Sequence, residues 1–230
     1  MHKTIGILGG MTPESTTTYY EHITRAYIQR FGDYSFPPIV VYSVSFQQYE
    51  DWMKADQWDP IARGLSQGLM ALDRAGADFM VIATNTMHNV LPELLKNAPK
   101  PILSIIDATA DAIIERGMDT VGLLGTRFTM EKPFYKDGLS QRGIKSIIPN
   151  DEDRQTVHRI IFEELGSGIF TDESRTRYVE IVHRLIENGA QGVILGCTEI
   201  PLLIKEDDCG APLFDTAVIH ADKALEYALK

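Results

Sequence analysis

The sequence predicts an α/β fold of two similar, pseudo-symmetric domains, each a four-stranded parallel sheet flanked by helices, with an active site in the cleft between them. Three observations support this prediction. Short apolar segments alternate with longer segments of helical periodicity, blocks of sequence recur in the same order in both halves, and the composition allows a packed core. The chain has 230 residues, of which 44% are hydrophobic, enough for one large domain or two small ones.

Eight short segments are rich in Val, Ile and Leu without polar alternation, the pattern of parallel strands covered on both faces. They are residues 4–8, 39–44, 78–83, 101–105, 120–124, 145–148, 191–196 and 212–214. Between them, residues 59–74 and 174–187 carry apolar side chains at helical spacing, and Gly76 and Gly189 follow closely, as they do at helix ends. Alternating strands and helices imply right-handed crossovers.

Three blocks of the first half recur in the second half, in the same order. The matched segments are 4–9 with 120–125, 76–86 with 189–199, and 101–111 with 212–222, at offsets of 116, 113 and 111 residues. The alternative is two generic α/β halves that share only composition. A duplicated fold tends to bring equivalent strand ends face to face, and in such sheets ligands bind beyond the carboxyl ends of strands. The repeat therefore predicts Cys197 on one side of a cleft and Thr84 on the other.

Composition and charge exclude several classes of protein. With 22 basic and 32 acidic residues the formal net charge is −10, which argues against nucleic-acid binding. No apolar run reaches transmembrane length, and the first strand begins too early to leave room for a signal peptide. Two cysteines without motif spacing fit a reducing cytoplasm. Scattered histidines give no metal site, and no lysine has a pyridoxal-phosphate context, so we expect a cofactor-free enzyme.

Two loops that follow strands are candidate ligand contacts. Gly10 and Met11 follow the first strand and open a helix, where free backbone N–H groups favour an anion. The matching loop carries Thr126 and Arg127, which offer a hydroxyl and a cation. A tight strand-to-helix turn explains either loop equally well, and the glycine spacing does not match a dinucleotide or nucleoside-triphosphate motif.

Polar residues also follow the third strand of the first half. Asn85 and Thr86 can donate hydrogen bonds to a carboxylate. His88 is interpreted as a helix-start residue in preference to an orienting group or an acid. In the second half, Cys197 stands at a strand end before Thr198 and Glu199.

The position of Cys197 at a strand end favours a functional thiol over a cysteine that only packs as a small hydrophobic residue. Helix N-terminal N–H groups would lower its pKa, and the thiolate could act as base or nucleophile. His220 is expected near the start of the last helix, facing either the cleft or the core. Cys209, in an acidic loop, is interpreted as incidental.

These motifs together resemble the signatures of the aspartate/glutamate racemase family. They are Gly-Gly-Met at 9–11, Thr-Asn-Thr-Met-His at 84–88, Gly-Thr at 125–126 and Gly-Cys-Thr-Glu at 196–199. The resemblance spans essentially the whole chain and implies a cofactor-independent, cytoplasmic, often dimeric enzyme whose partner is a small-molecule amino-acid substrate. It also implies domains at 1–97 plus 211–230 and at 98–210, whereas the bare repeat would divide the chain near residue 111.

In this family a cysteine on each side of the substrate Cα removes or delivers a proton. Cys197 matches the second cysteine by position, and Thr84 replaces the first. In the family the second cysteine is the base toward the L-enantiomer, and a hydroxyl is a far poorer base than a thiol. The resemblance therefore implies ready deprotonation of L-substrates and poor handling of D-substrates. Thr84 would then relay a proton from water or a neighbour.

The resemblance also assigns roles in binding the substrate. Asn85, Thr86 and Thr198 would bind the α-carboxylate, and Thr126 with Gly10 and Met11 would complete the pocket. The candidates for binding the side-chain carboxylate are Gln47, Gln48 and Arg127.

Two other interpretations remain open. A one-cysteine lyase or decarboxylase of the same superfamily would protonate an enediolate from one face, and it would tolerate the loss of one thiol. A non-catalytic amino-acid binding protein would result if the site had decayed when the first cysteine was lost. Product identity separates the two enzyme classes, and solvent-proton exchange separates both from a binding protein.

Overall fold

The structure, a computed structural model, describes residues 2–230 of the chain. It divides into two compact units, which are described separately. The first unit comprises the chain up to Ile105 together with Ala217–Lys230, and the second comprises Ile106–Thr216. Each unit contains one four-stranded sheet.

All eight expected strands are present, and every pairing between them is parallel. They are β1 Ile5–Gly9, β2 Ile39–Ser43, β3 Phe79–Ile82, β4 Ile102–Leu103, β5 Thr120–Gly125, β6 Lys145–Ile147, β7 Val193–Gly196 and β8 Leu213–Asp215. The strand order is β2-β1-β3-β4 in the first sheet and β6-β5-β7-β8 in the second. The two orders are equivalent, which confirms the predicted fold of two similar parallel-sheet domains.

Helices connect the strands in both units. They are α1 Pro13–Phe31, α2 Phe46–Lys54, α3 Trp58–Arg74, α4 Leu91–Leu95, α5 Ile105–Glu115, α6 Arg127–Glu131, α7 Pro133–Gln141, α8 Asp151–Glu163, α9 Asp172–Glu187, α10 Ile200–Leu203, α11 Glu206–Cys209 and α12 Thr216–Ala228, with 3₁₀ turns at Thr86–Val90 and Leu165–Ser167. The segments 59–74 and 174–187 correspond to α3 and α9, so their helical periodicity was interpreted correctly.

Equivalent hydrogen bonds show that the sequence repeat is a structural repeat. After α3 the N–H of Ala77 bonds to the carbonyl of Leu72 at 3.1 Å, and after α9 the N–H of Ala190 bonds to Leu185 at 3.0 Å. Both bonds are of the Schellman type, and each is permitted by the preceding glycine, at φ 90° and 96°. The helices α3 and α9 therefore end with the same backbone geometry before β3 and β7.

The strand starts repeat as well. The N–H of Asp78 donates to the Thr4 carbonyl at 2.9 Å, and that of Gln191 donates to the Thr120 carbonyl at 2.8 Å. In return, the side chains of Asp78 and Gln191 accept from the backbone N–H groups of those same threonines, at 2.7 Å and 3.0 Å. The resemblance between the two halves thus extends to individual side-chain contacts.

The chain crosses between units at 105/106 and at 216/217. These crossings lie a few residues after the boundaries implied by the resemblance, 97/98 and 210/211. They also differ from the single division near residue 111 that the bare repeat predicts. The difference arises because β4 pairs with β3, which keeps β4 in the first sheet, and β8 pairs with β7, which keeps β8 in the second. Each fourth strand is followed by a helix of the other unit, so the last helix returns to the first unit but the last strand does not.

Burial follows strand position within each sheet. Central strands β1, β3 and β7 are buried along their whole length, as the unbroken apolar sequence predicted. The expectation that every strand is covered on both faces is wrong for β2, whose residues Val41, Tyr42 and Ser43 are exposed. As an edge strand, β2 has a partner on one side only, and its apolar sequence does not reveal this.

Candidate functional site

The carboxyl end of β7 carries a thiol in direct contact with a carboxylate. The Sγ–H of Cys197 donates to Oε2 of Glu199 at 2.9 Å, and the Thr198 hydroxyl donates to the same oxygen at 3.0 Å. Glu199 is only 4% exposed, whereas Cys197 is half-buried. We call residues 196–200 the Cys197 corner. The structure thus brings together three residues that the sequence had singled out.

The thiol of Cys197 is harder to ionise than the sequence suggested. Burial, the negative charge of Glu199 and the hydrogen bond to its carboxylate, in that order, raise the pKa of Cys197 well above its usual value. Backbone N–H groups of Thr198 and Glu199 act in the opposite direction, as expected at the start of a helix, but they are outweighed. The expectation of a lowered thiol pKa is therefore wrong for the free protein, in which Cys197 is a proton donor.

Glycines allow the neighbouring strand ends to approach closely. Gly125 and Gly196 pair across β5 and β7. A Cβ on Gly196 would lie 2.7 Å from the carbonyl oxygen of Leu124, and one on Gly125 would lie 2.9 Å from the carbonyl oxygen of Gly196. Larger residues would displace backbone atoms immediately before Cys197.

Thr126 and Arg127 follow β5, the neighbour of β7 in the sheet. Thr126 is the N-cap of α6, and its hydroxyl accepts from the N–H of Thr129 at 3.3 Å. The backbone N–H of Arg127 donates to Nδ1 of His158 at 3.2 Å. Its side chain is exposed and forms no ion pair within residues 2–230. Arg127 thus remains a cation that no carboxylate in this described range neutralises.

The equivalent strand end in the first unit has no charged group. We call residues 83–88 the Thr84 corner. Thr84, Asn85 and Thr86 are buried, at 9%, 3% and 6% exposure, and the N–H of Thr84 turns back to the carbonyl of Ile82 at 2.8 Å. Thr86 begins the 3₁₀ turn that continues the strand. Hydroxyl and amide groups thus stand where the other unit has its thiol and carboxylate.

His88 makes buried hydrogen bonds through both ring nitrogens. It is 1% exposed, and its Nδ1–H donates to the Thr84 carbonyl at 2.9 Å, while Nε2 accepts from the N–H of Ile105 at 3.2 Å. Carbonyls only accept and N–H groups only donate, which assigns this neutral tautomer. Burial lowers the pKa of His88 to about 4. His88 therefore connects the strand end to the start of α5 and carries no charge at neutral pH.

His220 faces the core of the first unit. Its Nε2–H donates to the Leu103 carbonyl at 3.1 Å, and its Nδ1 accepts from the hydroxyl of Tyr19 at 2.7 Å. Burial, with a smaller contribution from His88, lowers the pKa of His220 to about 3. The ring centroids of the two histidines lie 6.2 Å apart. The sequence left open whether His220 faces core or cleft, and its hydrogen bonds are those of a core residue.

The loop after β1 is tightly closed. The N–H of Gly10 donates to the Thr16 hydroxyl at 2.8 Å, so it is not free for an anion as the sequence suggested. Gly10 has φ 88°, and a Cβ there would lie 2.4 Å from the carbonyl oxygen of Val44. Met11 is buried, and Thr12 caps α1 by accepting from the N–H of Ser15 at 3.5 Å. The tight-turn interpretation explains this loop.

Gln47 lies in an acidic environment that does not suit a carboxylate ligand. Its exposed amide donates to Glu50 at 3.3 Å and to Asp51 at 3.0 Å. Gln48 on the same helix is also exposed. The incidental cysteine, Cys209, is buried, and burial followed by the charge of Asp208 raises its pKa to about 11.

Sequence reasoning gave no site role to Thr16 or Tyr178, and it named Thr129 only as a member of the loop after the fifth strand. Thr16 closes the first loop, Thr129 completes the second, and Tyr178 of α9 lies in the apolar cluster against which Cys197 packs. The spacing of hydroxyl residues after a strand, Thr-x-x-Ser and Thr-x-x-Thr, could have indicated the helix caps. Nothing in the sequence distinguishes Tyr178 from the other apolar-stripe residues of its helix.

Within residues 2–230 no group of His, Cys, Asp and Glu side chains is arranged to hold a metal ion. No helix in this described part of the chain is long and apolar enough to cross a membrane.

Two repeated α/β units with a thiol–carboxylate pair at one strand end define a protein suited to proton exchange at a small molecule. The chain belongs to the Asp/Glu/Hydantoin racemase family, whose model matches residues 8–224. This confirms the resemblance drawn from the motifs, and the racemase relatives support an isomerase.

Individual relatives cover nearly the full length. Broad specificity amino-acid racemase RacX from Bacillus subtilis is 24% identical over 220 residues, 94% of both chains. The structure of PH1733, an aspartate racemase homologue from Pyrococcus horikoshii, is 39% identical with a TM-score of 0.86 and covers 100% of both chains. A candidate Asp/Glu racemase from Yersinia pestis is 43% identical with a TM-score of 0.92, covering 99% of this chain and 100% of that one.

Proposed function

We propose that the protein is a cofactor-independent racemase of aspartate, glutamate or both, in which Cys197 exchanges the Cα proton. The observation that supports this most strongly is the Cys197 corner, where a half-buried thiol lies at the carboxyl end of a parallel strand and contacts a buried carboxylate. The family supports racemisation, and names of relatives such as the aspartate racemase homologue suggest an acidic substrate.

In the proposed reaction, the thiolate of Cys197 takes the α-proton of the L-enantiomer and becomes a thiol, leaving a carbanion. A proton from solvent, relayed by the Thr84 hydroxyl, adds to the opposite face and gives the D-enantiomer. In reverse, the thiol of Cys197 protonates the carbanion to give the L-enantiomer. The proposal requires the Thr84 and Cys197 corners to act on one substrate.

The remaining roles follow from the donors at these corners. Asn85, Thr86 and Thr198 carry groups that can hydrogen-bond the α-carboxylate and stabilise the carbanionic transition state. Arg127 is the candidate cation for the side-chain carboxylate, because it is exposed and makes no ion pair within residues 2–230. Gln47 has no part in the proposal, since its amide already donates to two carboxylates.

The proposed preference for L-substrates affects the rate of α-proton exchange with solvent and not the relative kcat/KM values for racemisation. Because enantiomers have equal free energies, kcat/KM must be the same for both directions of racemisation. The asymmetry between a thiol and a hydroxyl therefore appears in the exchange of the α-proton with solvent, which each enantiomer undergoes on a different face. We propose fast exchange from L-substrate and slow exchange from D-substrate.

The test is to incubate the purified protein with each L-amino acid in D2O, with a Cys197→Ala variant as control. Chiral chromatography follows the D-isomer, mass spectrometry follows deuterium at Cα, and proton NMR identifies any other product. D-isomer formation that is lost in the variant supports the proposal. A decarboxylated or cleaved product would establish the lyase, and binding without any exchange would establish the amino-acid binding protein. A homodimer, which the resemblance implies, is tested by light scattering on the same sample.

A further inference from the structure

The carboxylate of Glu199 is held against Cys197 by contacts from two adjacent residues. Its Oε2 accepts from the Cys197 thiol at 2.9 Å and from the Thr198 hydroxyl at 3.0 Å. The carboxylate is buried at the start of the short helix α10, whose residue Leu202 donates its N–H to the Glu199 carbonyl at 3.0 Å. Backbone and side chain of Glu199 are therefore both fixed relative to the sulfur.

This geometry determines which atom carries the proton. An ionised carboxylate can only accept hydrogen bonds, so the sulfur must be the donor. If the thiol ionised in place, a second negative charge would appear 2.9 Å from the first, in a site that is largely shielded from water. Like charges at that separation strongly disfavour one another.

We propose that Glu199 is a positioning residue for Cys197, which keeps the sulfur protonated and fixes the direction of its S–H bond in the free protein. Its effect on racemisation rests on the proposed function, whereas its effect on the thiol does not. The consequence for the reaction is that the free protein holds Cys197 in the form that donates a proton. The thiolate that takes the α-proton of the L-substrate must form against the charge of Glu199.

Burial also favours the protonated thiol, but no other charged or titratable side chain within residues 2–230 contributes to this state. Tyr178 on α9 is the neighbouring titratable group, and its hydroxyl donates to the Val157 carbonyl at 3.2 Å. Burial, followed by the charges of Cys197, Glu164 and Glu199, raises the pKa of Tyr178 well above its usual value, so it stays neutral. The backbone N–H groups of residues 198 and 199 favour the thiolate and remain after any side-chain change at position 199. A substitution there therefore isolates the effect of the carboxylate.

The experiment measures alkylation of Cys197 by iodoacetamide in the folded protein, from neutral to strongly alkaline pH, with peptide mass spectrometry to resolve the two cysteines. Glu199→Gln keeps the side-chain shape and removes the charge. Glu187→Gln, an exposed position at the end of α9, is the matched control for loss of one negative charge. Cys209, a buried thiol whose pKa is also raised, to about 11, serves as an internal reference in every sample.

We expect Glu199→Gln to move the midpoint of Cys197 alkylation to lower pH by roughly one unit or more, with no movement in Glu187→Gln or at Cys209. Glu199→Asp, which keeps the charge but withdraws it from the sulfur, should move the midpoint in the same direction by less. This variant also serves if the glutamine variant does not fold. An unchanged or raised midpoint at Cys197 in these variants would overturn the inference.

The same variants separate this inference from the proposed function. If both hold, the acid limb of kcat/KM for L-aspartate or L-glutamate moves to lower pH in Glu199→Gln, in parallel with the alkylation midpoint. If the alkylation midpoint moves but neither amino acid is racemised by the wild-type protein, the role of Glu199 stands and the racemase assignment fails. If the wild-type protein racemises but the alkylation midpoint does not move, the racemase assignment stands and the role of Glu199 fails.

Discussion

The Thr84 corner and the Cys197 corner occupy equivalent positions in two sheets of the same strand order, yet their chemistry is opposite. At Cys197 a proton-donating thiol faces a buried carboxylate. At Thr84 the groups are neutral, and the backbone carbonyl is bound by a histidine whose pKa burial has lowered to about 4. The comparison indicates that the two units share a scaffold, including the ends of their helices and the starts of their strands, whereas one strand end carries a thiol beside a carboxylate and the other carries only uncharged groups.

The strongest test of this difference compares truncation at the two corners. Cys197→Ala removes the proposed acid–base group, and we expect racemisation to fall by about 10²–10⁴-fold, the usual contribution of such a group. Thr84→Ala removes only a relay, so its loss should be at least about tenfold smaller. Initial rates of D-isomer formation measure both, and circular dichroism controls for folding. Equal losses would mean that the two corners contribute alike.

A second substitution would make the corners alike. Thr84→Cys places a thiol at a strand end whose residues 83–88 include no carboxylate, and we expect solvent exchange from D-substrate to increase about tenfold or more, because a thiolate is a far better base than a hydroxyl. Deuterium incorporation into D-aspartate or D-glutamate is the measurement, with Thr84→Ser as the matched control that keeps a hydroxyl. No gain over Thr84→Ser would show that a thiol at position 84 does not reach the substrate Cα.

The buried histidines beneath the Thr84 corner should make folding sensitive to acid. Their folded-state pKa values, about 4 for His88 and about 3 for His220, lie below the unfolded value of 6.5. Between these limits the unfolded chain binds protons that the folded chain does not, so the free energy of unfolding falls as pH falls below 6.5. Above that range neither histidine contributes a pH dependence.

The expected size of this effect is about 3 kcal/mol for His88 alone as the pH falls to 4. Urea unfolding of the wild type, His88→Gln and His220→Gln at several pH values measures it. Each substitution should flatten the dependence, whatever it does to stability at neutral pH. Equal slopes in the wild type and in both variants would contradict the assigned neutral state of the two histidines.

The smallest expected effect concerns a feature that the two units share. Thr12 and Thr126 cap equivalent helices after the first strand of each sheet. Replacing either by alanine should lower the free energy of unfolding by about 1 kcal/mol. If Thr126 also binds substrate, Thr126→Ala should raise KM in addition to its effect on stability. Urea midpoints and Michaelis constants separate the two roles, and an unchanged stability in both variants would refute the capping assignment.

The sequence predicted the scaffold well because parallel-sheet proteins give strong local signals. All eight strands were identifiable as apolar runs, and the glycines after α3 and α9 marked the ends of those helices correctly. The exposure of Val41 and Tyr42 was not predictable, since an edge strand and a central strand can have the same apolar sequence. Likewise, the boundaries between the two units depend on which strands β4 and β8 pair with, and strand pairing is a long-range property.

For the candidate site, the sequence identified the residues better than their protonation states and orientations. Cys197, Thr198 and Glu199 were singled out by position, and the structure brings them together. The direction of the thiol pKa was mispredicted because helix N–H groups are evident from position, whereas burial and the orientation of a carboxylate are not. His220 was undecided for the same reason, since its partners Tyr19 and Leu103 lie far away in sequence.

The most direct test of the asymmetry between the two corners compares α-proton exchange with racemisation for each enantiomer of the wild-type protein in D2O. We predict that L-aspartate or L-glutamate loses its α-proton to solvent faster than it forms D-isomer, and that the D-enantiomer exchanges no faster than it racemises. Exchange that is equally fast from both enantiomers would contradict this asymmetry, because the Thr84 corner would then be as competent a base as Cys197.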